Sequence, residues 1–413
     1  MSEVAQVPQL RFPEFSGNWE SKIFRDVFER ITTKNKENNE NVLTISAQQG
    51  LINQKDYFNK SVSAKDVTGY YLLHKDDFAY NKSYSQGYPL GAIKRLKKYD
   101  KGVVSTLYIC FKSIQDNIDF LEQVFNGGRL NHEIHKIAQE GARNHGLLNI
   151  SVVEFFKDIK LNIPTKPEQQ KIAAFLTAVD TKIEQLSKKK ELLGEYKKGL
   201  MQKIFSQAIR FKADDGSDFP DWEDGLLNTL IDNSRKIRYG IVQPGKYDKN
   251  GKYLIRGKDY SNGWEIPSEF FKVSDAIEKK YSKTRVKKGD VIVCIVGSVG
   301  NVMVIPGWLD GANITQTTAR IAPDKNKLNN QYLYFYFQSL VGRNMIHKHT
   351  RVGTRPGLNI EDVEKFSILL PSLLEQAKIA NFLSSIDNKI EQVGKQLDES
   401  KQFKKALLQQ MFV

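Results

Sequence analysis

The chain has 413 residues, more than the ~250–300 at which a single core usually divides, so at least two domains are expected. Its 62 Lys+Arg against 48 Asp+Glu leave a formal charge of +14, which favours a polyanionic partner. No apolar run approaches the ~18 residues of a membrane span, and Met1-Ser-Glu-Val does not begin a signal segment, so a soluble cytoplasmic protein with no membrane role is expected.

In chain order, residues 1–160 read as a first globular domain of mixed strand and loop. Phe78-Ala-Tyr and the run from Gly102 to Phe111 are strand-like, and 118–125 is helix-like. A long helix is expected over 164–206. The second globular domain, 213–367, has a strand over 288–296, a turn at Gly297-Ser-Val-Gly300 and another strand over 301–305. An extended stretch over 313–321 and a helix over 330–340 follow. A second long helix is expected over 371–413. Cys110 and Cys294 lie in apolar strand-like runs and read as small buried hydrophobes.

The two long helices are one sequence written twice. Pro164-Thr-Lys-Pro-Glu-Gln-Gln-Lys-Ile-Ala-Ala-Phe-Leu returns at Pro371 as Pro-Ser-Leu-Leu-Glu-Gln-Ala-Lys-Ile-Ala-Asn-Phe-Leu. The register holds at an offset of 207 to Phe205 and Phe412, with nineteen of 42 positions identical. Trp19-Glu20 is likewise echoed by Trp222-Glu223, and Gly141-Ala-Arg143 by Gly353-Thr-Arg355. Between these anchors the halves diverge, which suggests one scaffold carrying two specificities.

Thr165 with Glu168, and Ser372 with Glu375, have capping-box spacing. Ile172, Leu176, Val179, Ile183 and Leu186 then form an apolar seam, continued by Leu193, Leu200 and Ile204. Its counterpart is Ile379, Leu383, Ile386, Ile390 and Val393, continued by Leu397, Leu407 and Met411. Lys190, Lys197, Ser400 and Lys404 interrupt the seams. Such stripes need partners, and antiparallel packing on one another is the economical choice. The expected fold is α+β: two globular domains separated by a pair of long antiparallel coiled-coil helices, with pseudo-twofold symmetry. Phe175, Phe205, Phe382 and Phe412 either finish the core or meet another subunit.

Polar and basic side chains in the expected loops are candidates for DNA contact. They are Asn81, Lys82, Ser83, Tyr84, Lys94, Arg95, Arg129, His132, Arg143, Asn144 and His145 in the first domain. In the second they are Arg256, Lys258, Tyr260, Asn313, Thr315, Gln316, Arg320, Arg351 and Arg355. Arg, Lys, Asn and Gln match base edges, whereas Ser, Thr and Lys more often hold phosphates. No phosphate-binding loop, dinucleotide fingerprint or serine elbow occurs, and the pairs His132/His135 and His347/His349 lack companions for zinc. No catalytic or metal residue is assigned. A nuclease with its own metal site and a structural coiled-coil adaptor are the alternative classes.

The doubled helical signature, with the Gly289-Asp-Val strand, the Gly297-Ser-Val-Gly turn and Asn313-Ile-Thr-Gln, resembles the specificity subunit of type I restriction-modification enzymes. The first domain departs from that pattern at Lys75-Asp-Asp-Phe-Ala-Tyr and Gly87-Tyr-Pro-Leu-Gly. The resemblance implies that each domain reads one half of a bipartite asymmetric target in double-stranded DNA. It implies that the helices set the gap between the halves and dock two methyltransferase subunits. Two motor-nuclease subunits would join the full complex. S-adenosylmethionine, ATP and Mg²⁺ would belong to those partners, with no cofactor bound by this chain and no catalysis of its own.

Overall fold

The computed structural model describes residues 7–46, 49–58, 66–84, 87–114, 116–138, 148–261, 263–351, 353 and 356–413. The chain folds into two compact units whose limits cut through both long helices. One comprises Met1–Ser187 with Lys395–Val413, the other Lys188–Gly394. Each globular domain therefore packs with half of each long helix, whereas the sequence had set the helices apart as segments 164–206 and 371–413. The physical reason is the seam: neither helix can bury its apolar stripe alone.

In the first unit, Glu20–Ile23 pairs antiparallel with Lys160–Ile163 and closes the domain next to the start of the first long helix. A four-stranded antiparallel sheet runs in the order Phe28–Arg30, Ile109–Ser113, Phe78–Asn81, Ala92–Arg95. The expected strand from Gly102 to Phe111 is two strands in different sheets. Lys101–Val104 pairs with Tyr71–His74, and a turn over 105–108 separates it from Ile109–Ser113. Ser105 makes that turn by accepting the Leu107 and Tyr108 amides, on its hydroxyl at 3.3 Å and its carbonyl at 3.1 Å. The core is aromatic, with Trp19, Phe24, Phe28, Phe78, Phe111, Phe120 and Phe155 buried together. Ile172, Ala173 and Leu176 enter it from the first long helix, and Leu407, Met411 and Phe412 from the second.

The second unit repeats the plan. Glu223–Leu226 pairs with Ser367–Leu370 beside the start of the second long helix. A four-stranded sheet has the order Arg238–Tyr239, Thr318–Ile321, Val291–Cys294, Val302–Val304. A second sheet holds Phe271–Val273, Lys252–Ile255 and Asn313–Ile314. The extended stretch over 313–321 thus breaks into two strands of different sheets, around a turn in which the Thr318 amide donates to the Thr315 carbonyl at 3.1 Å. The helical expectation over 330–340 becomes two helices, Asn330–Gln338 and Leu340–His349, divided at Ser339, whose hydroxyl caps the second. Met201, Ile204 and Phe205 meet Ile379, Leu383 and Ile386 in this core.

The long helices span Lys166–Phe205 and Leu373–Gln410, 40 and 38 residues, each about 60 Å at 1.5 Å per residue. Their first turns depart from the capping-box expectation. Ser372 Oγ does accept the Glu375 amide at 3.3 Å, but the glutamates turn to the domain instead. The Glu168 carboxylate, 1% exposed, is gripped by Arg11 through two bonds of 2.7 Å and by the Trp19 indole at 3.3 Å. Glu375, 0% exposed, receives Arg210 at 3.2 and 2.9 Å and the Trp222 indole at 3.0 Å.

The next residue is also used twice in the same way. Gln169 Oε1 accepts the Asn117 amide at 2.9 Å and Gln376 Oε1 the Asn329 amide at 2.8 Å. Asn117 and Asn329 are the N-caps of Ile118–Asn126 and Asn330–Gln338. Glu-Gln in each repeat therefore bolts a long helix to its own domain.

Two of the seam interruptions have a matching explanation. Lys404 pairs with Asp180 at 2.5 Å in the first unit, and Lys197 with Asp387 at 2.6 Å in the second. Both lysines and both aspartates are related by the offset of 207. Together with the seam contacts, these pairs set the helix halves antiparallel within each unit. Ile172, Leu176, Leu186, Ile379, Leu383, Ile386 and Val393 are buried, and Val179, Ile183 and Ile390 half-buried. Phe205 and Phe412 complete the cores, while Phe175 and Phe382 pack edge-on against Phe12 and Phe211 at 5.8 and 5.5 Å. Cys110 and Cys294 are free and buried, and burial pushes the Cys110 thiol up to about 12.

Replacing Glu168 by Ala leaves Arg11 and Trp19 without their acceptor and lowers unfolding free energy by about 3 kcal/mol in a denaturant titration. Reversing one member of the helix pair, Lys404→Asp, costs about 1 kcal/mol, and adding Asp180→Lys recovers most of it; no recovery would mean the pair does not set the register.

Candidate nucleic-acid interface

In the second unit a cleft of about 950 Å³ opens between the turn at 297–303 and the helix Leu340–His349. Gly297 and Gly300 adopt φ of 86° and 91°, left-handed values that other residues resist, which lets the chain double back between the strands Val291–Cys294 and Val302–Val304. Arg343, His347 and Arg351 lie four residues apart along the opposite wall, all exposed. Arg351 pairs with Asp362 at 3.7 Å and donates to the Asn359 side-chain oxygen at 2.6 and 3.1 Å, while Arg343 and His347 make no side-chain bond among the described residues. This wall is a row of donors facing solvent, with the geometry to hold an anionic backbone.

In the first unit a groove of about 890 Å³ lies between the segment Lys94–98 and the end of the second long helix. Lys94, Lys97, Lys98, Lys401 and Lys405 line it, against Glu122, Asp180 and Glu184. Among the described residues Lys94 reaches neutral groups, Asn126 Oδ1 at 3.0 Å and the Tyr88 ring at 5.0 Å, so its charge stays available.

The other candidates divide by burial. In the first domain Asn81 ends a strand and its side chain accepts the Ser83 amide at 3.0 Å. Tyr84 and His132 are exposed, and Lys82 is half-buried with its amine pulled below the usual lysine range by burial. Arg95 is enclosed by Asp76 at 2.5 Å, Asp119 at 2.6 Å and Glu122 at 3.3 Å, and so ties a strand to a helix. Arg129 donates to the Leu408 and Gln409 carbonyls and caps the end of the second long helix.

In the second domain Lys258 and Gln316 are exposed. Arg256 is held by Asp259 at 2.9 Å and by the Glu269 carbonyl. Tyr260, Asn313, Thr315 and Arg320 are buried. Tyr260 bonds the Thr318 hydroxyl, Asn313 the Thr284 hydroxyl, Thr315 the Thr317 hydroxyl, and Arg320 the Lys236 carbonyl. These four are framework, because their side chains are buried and bonded inside the domain. Arg143, Asn144, His145 and Arg355 lie outside the described residues.

Sequence reasoning passed over Arg343, whose four-residue spacing to His347 and Arg351 was the available signal. It also missed Leu10-Arg-Phe12 returning as Ile209-Arg-Phe211, the source of both arginine clamps. Among the described residues no three His, Cys, Asp or Glu side chains converge as a metal site, and no helix is long and apolar enough to cross a membrane.

The family model for the type I restriction modification DNA specificity domain matches residues 231–400. The EcoBI specificity subunit of Escherichia coli is 26% identical over 261 residues, 59% of this chain and 55% of that protein. The MjaVIII specificity subunit of Methanocaldococcus jannaschii is 28% identical over 274 residues, 62% and 61% of the two chains. The match spans less than two thirds of either relative. Among solved structures, the type I restriction-modification S subunit from M. genitalium aligns with a TM-score of 0.58 over 98% of this chain and 99% of that one, at 16% identity. A chain solved in work on assembly and conformational transition of the type I R-M system gives 0.54 at 17% identity, over 94% and 96%. At such identities the likeness is one of fold.

Fold, repeat and domain match together describe a two-unit α+β protein whose second half is similar to a DNA specificity domain. Residues 231–400 match the type I restriction modification DNA specificity domain, and the chain is similar to the type I restriction enzyme specificity subunits.

Framework and surface separate by experiment. Arg320→Ala and Asn313→Ala each lower stability by about 1–3 kcal/mol, whereas Arg343→Ala and Arg351→Ala leave the melting temperature within a degree or two; equal losses in both pairs would merge the two groups.

Proposed function

We propose that the chain is the DNA-reading subunit of a type I restriction-modification complex, with each globular domain reading one half of a bipartite asymmetric target. The observation that supports this most is the contrast between parts. Glu-Gln anchors, arginine clamps and Lys–Asp pairs are duplicated, whereas the basic cleft of one unit and the lysine groove of the other share no residue pattern. A common mount with two different faces suits two different half-sites. On this reading the long helices set the gap between half-sites and dock two methyltransferase subunits, with two motor-nuclease subunits joining the full complex. S-adenosylmethionine, ATP and Mg²⁺ serve those partners, and this chain contributes positioning without catalysis in the cytoplasm.

Methylation mapping of the assembled system tests the proposal. A two-part motif is expected, and exchanging residues 12–160 for those of another specificity subunit alters one part only. Alteration of both parts, or a purified chain that cuts DNA with Mg²⁺ by itself, overturns it. Affinity for duplex DNA falls as salt rises, and Arg343→Ala with Arg351→Ala flattens the log–log slope by roughly one per lost phosphate contact. A salt-independent affinity would favour an adaptor.

A heptad added to each long helix where the units meet in sequence, after Ser187 and after Gly394, adds about 10 Å of helix, roughly three base pairs of duplex. The gap in the mapped motif lengthens accordingly or assembly stops, and an unchanged gap in an active complex removes the helices' role as a ruler.

A further inference from the structure

Each repeat carries three aromatic side chains at equivalent places on its long helix or just past its end: Phe175 and Phe382, Tyr196 and Phe403, Phe205 and Phe412. Two pairs are accounted for inside the units. Phe205 packs against Tyr332 and Tyr336 at 5.7 and 5.8 Å, and Phe412 against Trp19 and Phe120 at 6.2 and 5.5 Å. Phe175 and Phe382 sit against Phe12 and Phe211. The third pair is different. Tyr196 is 55% exposed and Phe403 54%, and neither ring has an aromatic or cationic neighbour among the described residues.

Their position is held by the residue that follows. Lys197 and Lys404 turn inward to Asp387 and Asp180, which fixes the preceding ring at the flank of the seam in both units. One turn further on stand Gly199 and Ala406, so the ground beside each ring is low, and a Cβ at Gly199 would meet nothing within 4 Å. Residues one turn and two turns back differ: Lys189 and Leu192 beside Tyr196, Gln396 and Glu399 beside Phe403. What the two places share is an exposed ring beside a small residue.

We propose that Tyr196 and Phe403 are paired anchors, each inserted into the same apolar pocket on one of two copies of a single protein partner. Duplex DNA does not suit the place, since its bases are stacked and its backbone offers phosphate rather than apolar surface. A protein pocket does, because aromatic anchors in desolvated pockets dominate interface energetics. Equivalence of the two places calls for the same partner twice. The proposal rests on the reading in which two methyltransferase subunits dock on the helices, and it assigns the side chains that hold them.

The test uses the full chain co-expressed with the methyltransferase subunit of its own system, with stoichiometry read by native mass spectrometry. Wild type takes two copies. Tyr196→Ala and Phe403→Ala each weaken one copy by at least about tenfold and leave a one-to-one species at low concentration, and the double variant retains none. Tyr196→Phe behaves as wild type, and all variants keep the wild-type melting temperature and salt-dependent DNA affinity. A double variant that still takes two copies overturns the anchors while leaving DNA reading and docking intact. Loss of both copies in a single variant overturns the one-ring-one-copy assignment. Self-association of the chain that the double variant abolishes assigns the rings to a second copy of this chain instead. A wild-type chain that takes no methyltransferase subunit overturns the docking reading itself.

Discussion

A buried carboxylate at the first turn of each long helix is the constraint on which the rest depends. Glu168 and Glu375 are almost wholly out of solvent, a state tolerated only because an arginine fork and an indole N–H meet each of them. The arginine and the tryptophan come from the segment that enters the domain, and the glutamate from the helix that leaves it. The clamp therefore closes each domain on itself and aims its long helix. Gln169 and Gln376 add a second tie, through the capped ends of Ile118–Asn126 and Asn330–Gln338. With both ties in place the helix cannot swivel without breaking buried polar bonds.

From that fixed start the helices find one another by charge as well as by apolar contact. A seam of Ile, Leu and Val alone tolerates sliding by a heptad. Lys197–Asp387 and Lys404–Asp180 resist it, since a shift would part four half-buried charges from their partners. The globular domains are then free to diverge, and they have: a glycine turn facing a row of cations in one unit, a lysine groove in the other. The mount is constant and the faces vary.

Burial explains which sequence-based expectations became surface and which became framework. Arg and Asn were singled out for side-chain chemistry suited to base edges, yet the same chemistry also bonds groups inside the fold. Inside the second domain Arg320 donates to the Lys236 carbonyl and Asn313 accepts the Thr284 hydroxyl, and in the first Arg95 pairs with carboxylates and Arg129 donates to helix-end carbonyls. Pattern cannot separate the two uses, because both draw on the same donors. The strands failed in a similar way at 102–111 and 313–321, where unbroken apolar or β-branched runs conceal a turn made by Ser105 or by Thr315 and Thr318.

The sequence by itself determined the duplication, the two long helices, their seams and the two divergent domains. These follow from periodicity and repetition, which are local or self-referential signals needing no knowledge of distance. Only the tertiary structure decided how the seams share out between two units, that the glutamates of the helix starts are clamped rather than capping, and that two lysines written as breaks are the register pins. The reason is physical. A carboxylate three residues after a threonine or serine can answer the backbone or an arginine more than a hundred residues away, and the stronger, charge-assisted partner wins once folding brings it within reach.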